Sequence, residues 1–131
     1  MKIILILSLL LMGKIFALDA NKQNILKLQK QHTPIIDIRT SNEWKSTGII
    51  PNALKITFFD AYGGINQQFL KELKKHHINK NSKFAIICRT GHRSKIAKEI
   101  LNKSGYNNII DLKGGMFNLF KSLLKGLKNG K

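Results

Sequence analysis

From Asn21 onward the apolar residues keep changing their spacing, and each change marks a new element. "NKQNILKLQKQ" places Ile25, Leu26 and Leu28 on one side of a helix. "PIIDI" follows Pro34 with a short apolar run, the pattern of a buried strand. "SNEWKS" reads as a helical turn capped by Ser41, and "ALKITF" as a second strand. "NQQFLKELKKHH" returns to helical spacing, with Phe69, Leu70 and Leu73 on one face. "KFAIIC" is a β-branched strand. "RSKIAKEILNKSG" is a helix beginning near Ser94, with Ile96, Ala97, Ile100 and Leu101 inward and Gly105 just past its end. "NNIIDL" is a strand, and "GGMFNLFKSLLKGL" a last helix packed through Phe117, Phe120, Leu123, Leu124 and Leu127. Isoleucine-rich strands alternating with helices predict an α/β fold with a parallel sheet, because crossover helices cover both faces of such a sheet.

Upstream of Asn21 the pattern is different. Lys2 precedes an Ile- and Leu-rich run from Ile3 to Met12, which is too short for a bilayer that needs about 20 residues. Gly13-Lys14 ends the run, and small residues follow at Ala17 and Ala20. This is the layout of a secretory signal, residues 1–18, with cleavage expected near Leu18 or Asn21 and an uncleaved anchor as the alternative. Residues 19–131 then form a single domain in a periplasmic or other extracytoplasmic space, with no membrane span in the mature chain.

Charge changes this picture little. The chain of 131 residues has a formal net charge of +16, but its lysines are scattered and its aromatics are not interleaved with them. That argues for a solvated basic surface and against a nucleic-acid partner. His76 and His77 stand among lysines at a helix end and do not suggest a metal site.

Cysteine and arginine change it more. Cys88 is the sole cysteine, so it cannot form a disulfide within the chain or a multi-cysteine metal site. Only three arginines occur beside 20 lysines, and two of them, Arg89 and Arg93, stand in "CRTGHRS". Cys88 ends a strand, a glycine-containing loop follows, and a helix begins. Inward backbone N–H groups and a helix N-terminus there favour a thiolate and an oxyanion. Arginine adds planar donor forks for anion recognition, which lysine lacks. The loop is expected to be concave and open to solvent, with Cys88 at its base. A buried, inert cysteine with solvated arginines is the plainer alternative.

"CRTGHRS" resembles the active-site loop of the rhodanese family, whose pattern is Cys-Arg-x-Gly-x-Arg-Ser. "IIDIRTSNEWKSTGIIPNA" is similar to that family's Asp-x-Arg, Glu-aromatic, Gly-His-Ile-Pro-Gly-Ala stretch, and "GYNNIIDLKGGMFNL" to its Gly-Gly ending. Ile49 and Asn52 stand where the family has His and Gly, and Leu119 where an aromatic is common. The resemblance implies a rhodanese-like parallel sheet of about five strands with helices on both faces. It also implies sulfurtransferase chemistry without a metal or organic cofactor. Cys88 would take a sulfane sulfur from a small anion such as thiosulfate as a persulfide and pass it to a thiol, cyanide or protein thiol.

Arg93 and the loop N–H groups would stabilise the bound anion and the persulfide. Arg89, Thr90, Gly91, His92 and Ser94 would line the substrate site. Asp37, Arg39 and Glu43 are expected to form one supporting ion-pair network, and Trp44 a core anchor. A non-catalytic binding or redox-sensing module on the same fold is one alternative. A cysteine phosphatase or arsenate reductase is another, although their loops place one more residue between Cys and Arg than the four found here.

Overall fold

The structure, a computed structural model, describes residues 15–128. The apolar run Ile3 to Met12 lies outside the described residues. Five strands, β1 (Ala17–Asp19), β2 (Ile35–Asp37), β3 (Leu54–Lys55), β4 (Phe84–Ile87) and β5 (Ile109–Lys113), form one parallel sheet in the order β1-β5-β4-β2-β3. Five helices accompany them: α1 (Lys22–Lys30), α2 (Ser41–Thr47), α3 (Phe69–Lys75), α4 (His92–Lys103) and α5 (Gly115–Lys128).

Alternation along the strands divides the core in two. Phe84, Ile86 and Cys88 face α3 and α4, where Phe69, Leu73, Ala97 and Leu101 meet them. Ala85 and Ile87 face the other side, where Ile25 and Leu28 of α1 and Met116 and Leu119 of α5 close the second core. Every residue of β2 and β4 is buried, which explains the unbroken apolar writing of "PIIDI" and "KFAIIC".

Four local readings need correction. Leu26 and Leu70 are exposed, because α1 and α3 each bury a narrower stripe than their apolar residues suggested. In α5 only the first turns pack: Met116 and Leu119 are buried, while Phe117, Leu124 and Leu127 are exposed. Thr40, not Ser41, caps α2; its hydroxyl accepts from the Glu43 N–H and the Glu43 carboxylate accepts from the Thr40 N–H. The ladder of β3 ends at Lys55, although the chain stays beside β2 through the Ile56 and Phe58 N–H groups.

One strand was not foreseen. Ala17–Asp19 pair with Asp111 to Lys113 at the sheet edge, where the leader was expected to end. The Phe16 carbonyl accepts from the Asp111 N–H at 3.0 Å. Asn52, the residue in the place of a family glycine, has φ +66°. Asparagine is among the few residues that enter this left-handed region readily, so the turn survives the exchange.

No helix among the described residues is long and apolar enough to cross a membrane. No cluster of potential metal ligands is found among them.

Candidate functional site

The chain leaves β2 toward β3 and leaves β4 toward β5, in opposite directions across the sheet. The crevice beyond the carboxyl ends of β2 and β4 is therefore the topological switch point, the usual ligand site of an open α/β sheet. Ile38 to Thr40 enter it from β2, and Cys88 to Gly91 from β4.

The loop after β4 folds around the cysteine sulfur. The Gly91 N–H reaches Cys88 Sγ at 3.1 Å and the Ser94 N–H at 3.3 Å. Gly91 caps α4 with φ +96° and brings no side chain to compete for these donors. The α4 N-terminus thus points at the sulfur. The N–H groups of His92 and Arg93, in the first turn, lie outside the intrahelical ladder.

Cys88 is 0% exposed. The sulfur is enclosed by its loop and not open to solvent at the base of a cradle, which corrects the sequence-based expectation. The period of the strand is the cause: Cys88 continues the inward side of Phe84 and Ile86.

The Gly-Gly pair that begins α5 makes this loop possible. A Cβ on Gly115 would stand 2.5 Å from the Cys88 carbonyl oxygen, and one on Gly91 would stand 2.9 Å from the Gly114 nitrogen. The two backbones are therefore in direct contact. The Met116 N–H donates to the Cys88 carbonyl and the Phe117 N–H to the Arg89 carbonyl, each at 2.9 Å.

Ser94 lies behind the sulfur. Its hydroxyl is 2.7 Å from Asp111 Oδ1 and 3.5 Å from Cys88 Sγ. With its proton directed to the carboxylate, Ser94 Oγ is free to accept from the Cys88 thiol. Asp111 is a site residue that the sequence reading missed. Its position in "NNIIDL" was the available signal: an acid inside a buried strand requires a partner.

The three expected supporting residues form two systems. Asp37 and Arg39 form a buried ion pair at 2.8 Å. Glu43 does not join it. Its carboxylate holds Arg93 through two parallel bonds of 2.7 Å, from Nη1 and Nη2. The paired guanidinium, with the Thr40 contacts, outweighs burial and lowers the Glu43 carboxyl to about 2, and the carboxylate in turn raises Arg93. The planar fork of Arg93 is thus engaged by α2 and is not presented to a ligand.

Arg89, Thr90 and His92 are exposed. Arg89 lines a cavity of about 430 Å³ between α2 and α5. The structure therefore gathers Cys88, Gly91 and Ser94 around the sulfur, places Arg93 one layer out, and lines the crevice with the buried Arg39 and the exposed Arg89.

Comparison with known proteins agrees with this architecture. The model of the rhodanese-like domain matches residues 20–122. The rhodanese domain-containing protein CG4456 of Drosophila melanogaster is 29% identical over 83 residues, covering 61% of this chain and 75% of that one. The adenylyltransferase and sulfurtransferase MOCS3 of Arabidopsis thaliana is 29% identical over 100 residues, 72% of this chain but only 21% of the longer protein. Among solved structures, a rhodanese-like domain protein from Staphylococcus aureus matches with a TM-score of 0.54 and 25% identity, covering 81% and 90% of the two chains.

Proposed function

The chain belongs to the family of rhodanese-like domains, and from this premise we propose that it is a sulfurtransferase using Cys88 as its nucleophile. The observation that carries this reading is the convergence of the Gly91 and Ser94 N–H groups and the α4 N-terminus on one sulfur. The Cys88 thiolate attacks the outer sulfur of thiosulfate. A bond forms between Sγ and that sulfur, the old S–S bond breaks, and its electron pair leaves with sulfite. The terminal sulfur of the persulfide then passes to cyanide or a thiol, and the thiolate returns.

Arg89 faces the crevice and draws the anion in. Arg93 acts as a positioning residue: its two bonds to Glu43 tie the loop to α2. Because the sulfur is enclosed, transfer requires either a rotation of the Cys88 side chain or a parting of its loop. That same enclosure is the specific support for a second reading, a binding or redox-sensing module that does not turn over.

Export is part of the proposal, motivated by Lys2 and the run Ile3 to Met12. Processing before Phe16 would keep β1, whereas processing at Asn21 would remove it.

The test is thiocyanate formation from thiosulfate and cyanide, with an aryl phosphate assayed in parallel. The parent protein is expected to turn over thiosulfate and not the phosphate. Cys88→Ser is expected to lose turnover by at least about a thousandfold, since a hydroxyl cannot carry the persulfide. A folded parent inactive on sulfur donors, or a serine variant as active as the parent, would remove the reading.

A further inference from the structure

The last helix carries more apolar surface than the fold uses. Met116 and Leu119 of α5 fill the second core, but Leu123 and Leu127 continue that side of the helix past the end of the core. At about 100° per residue, Phe117, Lys121, Leu124 and Lys128 follow one another along the adjoining row. Leu124 is 58% exposed and Leu127 is 74% exposed. Helix α1 extends this surface. It packs beside α5 on the same face of the sheet, and its Lys22 N–H donates to Ser122 Oγ at 3.3 Å. The exposed Leu26 of α1 and Leu123 of α5 line one cleft of about 240 Å³ between the two helices.

Charge on this face has a single sign. Helices α1 and α5 hold three lysines each, and neither contains an acid or an arginine. Helix α3, on the opposite face of the sheet, is mixed, and its Lys75 pairs with its own Glu72. Lys121 Nζ lies 5.5 Å from the centroid of the Phe117 ring. At that distance the lysine stem covers apolar surface while the charge stays in water. Protein–protein hot spots favour Trp, Tyr and Arg, and interfaces are depleted of Lys. Exposed leucines flanked by flexible lysines, with no acid among them, instead match a helix that lies in the interface of an anionic bilayer.

We propose that the α1–α5 face docks on an anionic lipid bilayer. Leu124, Leu127 and Phe117 enter the boundary between headgroups and acyl chains, and Lys121, Lys125 and Lys128 pair with the lipid phosphates. The helix lies along the surface and does not span it. The proposal is independent of the chemistry at Cys88.

The experiment measures co-sedimentation of the full chain with vesicles of phosphatidylglycerol and phosphatidylcholine. All variants share residues 1–14, so differences between them report on the substituted helix. The pair Lys121→Gln and Lys125→Gln is expected to weaken binding about tenfold. The pair Leu124→Ser and Leu127→Ser, both at exposed positions, is expected to weaken it by a similar factor. Removing the same charge from α3, with Lys71→Gln and Lys74→Gln at exposed positions, is expected to leave binding in place. A local readout places a single indole on the helix. In a Trp44→Phe background, Leu124→Trp is expected to be quenched by lipids brominated in the acyl chain, whereas Tyr62→Trp, on a fully exposed loop, is not. Binding insensitive to both α5 pairs, an equal loss from the α3 pair, or an unquenched Leu124→Trp would each overturn the proposal. A parent that ignores vesicles but forms a dimer dissolved by the leucine pair would also overturn it, and would assign the face to a second copy of the chain.

Discussion

Two arginine–carboxylate pairs flank the crevice, and they are built differently. Asp37 and Arg39 are neighbours in sequence and each about 1% exposed. Arg39 donates to both Asp37 oxygens, to Thr47 Oγ1 and to the Gly48 carbonyl, so the pair fastens the end of β2 to the end of α2. Glu43 and Arg93 are 50 residues apart and about a quarter exposed. They fasten α2 to the first turn of α4, beside the Cys88 loop. A charge buried without water depends on its partner for all its solvation, whereas a partly exposed one has water in reserve. The first pair therefore cannot lose one member without leaving a buried, uncompensated charge. The second is an adjustable tie on the functional loop.

The largest expected effect comes from breaking the inner pair. Arg39→Met should cost about 3–5 kcal/mol in urea denaturation, because it leaves the Asp37 carboxylate buried and uncompensated. Arg39→Met combined with Asp37→Leu should recover a large part of that loss. A cost below about 1 kcal/mol for the single change would mean that the two pairs do not differ in kind.

Breaking the outer pair should divide stability from activity. Glu43→Gln keeps the shape and removes the charge. It is expected to cost less than Arg39→Met, because the pair is partly exposed and screened by solvent. Sulfur turnover should fall about tenfold, since the loop is no longer held by Arg93. Equal fractional losses in both measurements would erase the distinction.

Titration sharpens it further. The folded Glu43 carboxyl sits near 2, below its ordinary value of 4.5. A group lowered on folding stabilises the protein above its unfolded pKa, and that stabilisation is lost as pH falls through the folded value. The stability difference between parent and Glu43→Gln should therefore be constant above about pH 5 and close between about pH 4.5 and 2. Denaturation midpoints across that window measure it, and a difference that persisted at pH 2 would contradict the assignment.

The smallest effect is expected on the outer face of α2. Lys55 Nζ lies 5.9 Å from the Trp44 ring centroid. Lys55→Met should cost about 0.5–1 kcal/mol and leave turnover alone.

The predictable parts of this molecule are those governed by neighbours in sequence. Strands β2, β4 and β5, helix α4 and the loop "CRTGHRS" were legible because alternation, helical spacing and a glycine at a turn are local signals. So was the place of the site, since a parallel sheet puts it beyond the strand ends. The partners of the charged residues were not legible in this way. Glu43 was assigned to Arg39 nearby and in fact holds Arg93, because only the packed positions of α2 and α4 bring that pair together. Asp111 behind Ser94 has the same origin, a strand and a helix meeting across the sheet.

Residue types and local spacing thus determined the elements, the topology class and the cysteine proposed as nucleophile. The tertiary structure alone decided that Cys88 is enclosed, that Arg89 and not Arg93 faces the crevice, and that Ala17–Asp19 complete the sheet. The physical reason is that hydrogen-bond geometry and solvent exposure belong to pairs of surfaces. A surface acquires its partner only when the chain has folded.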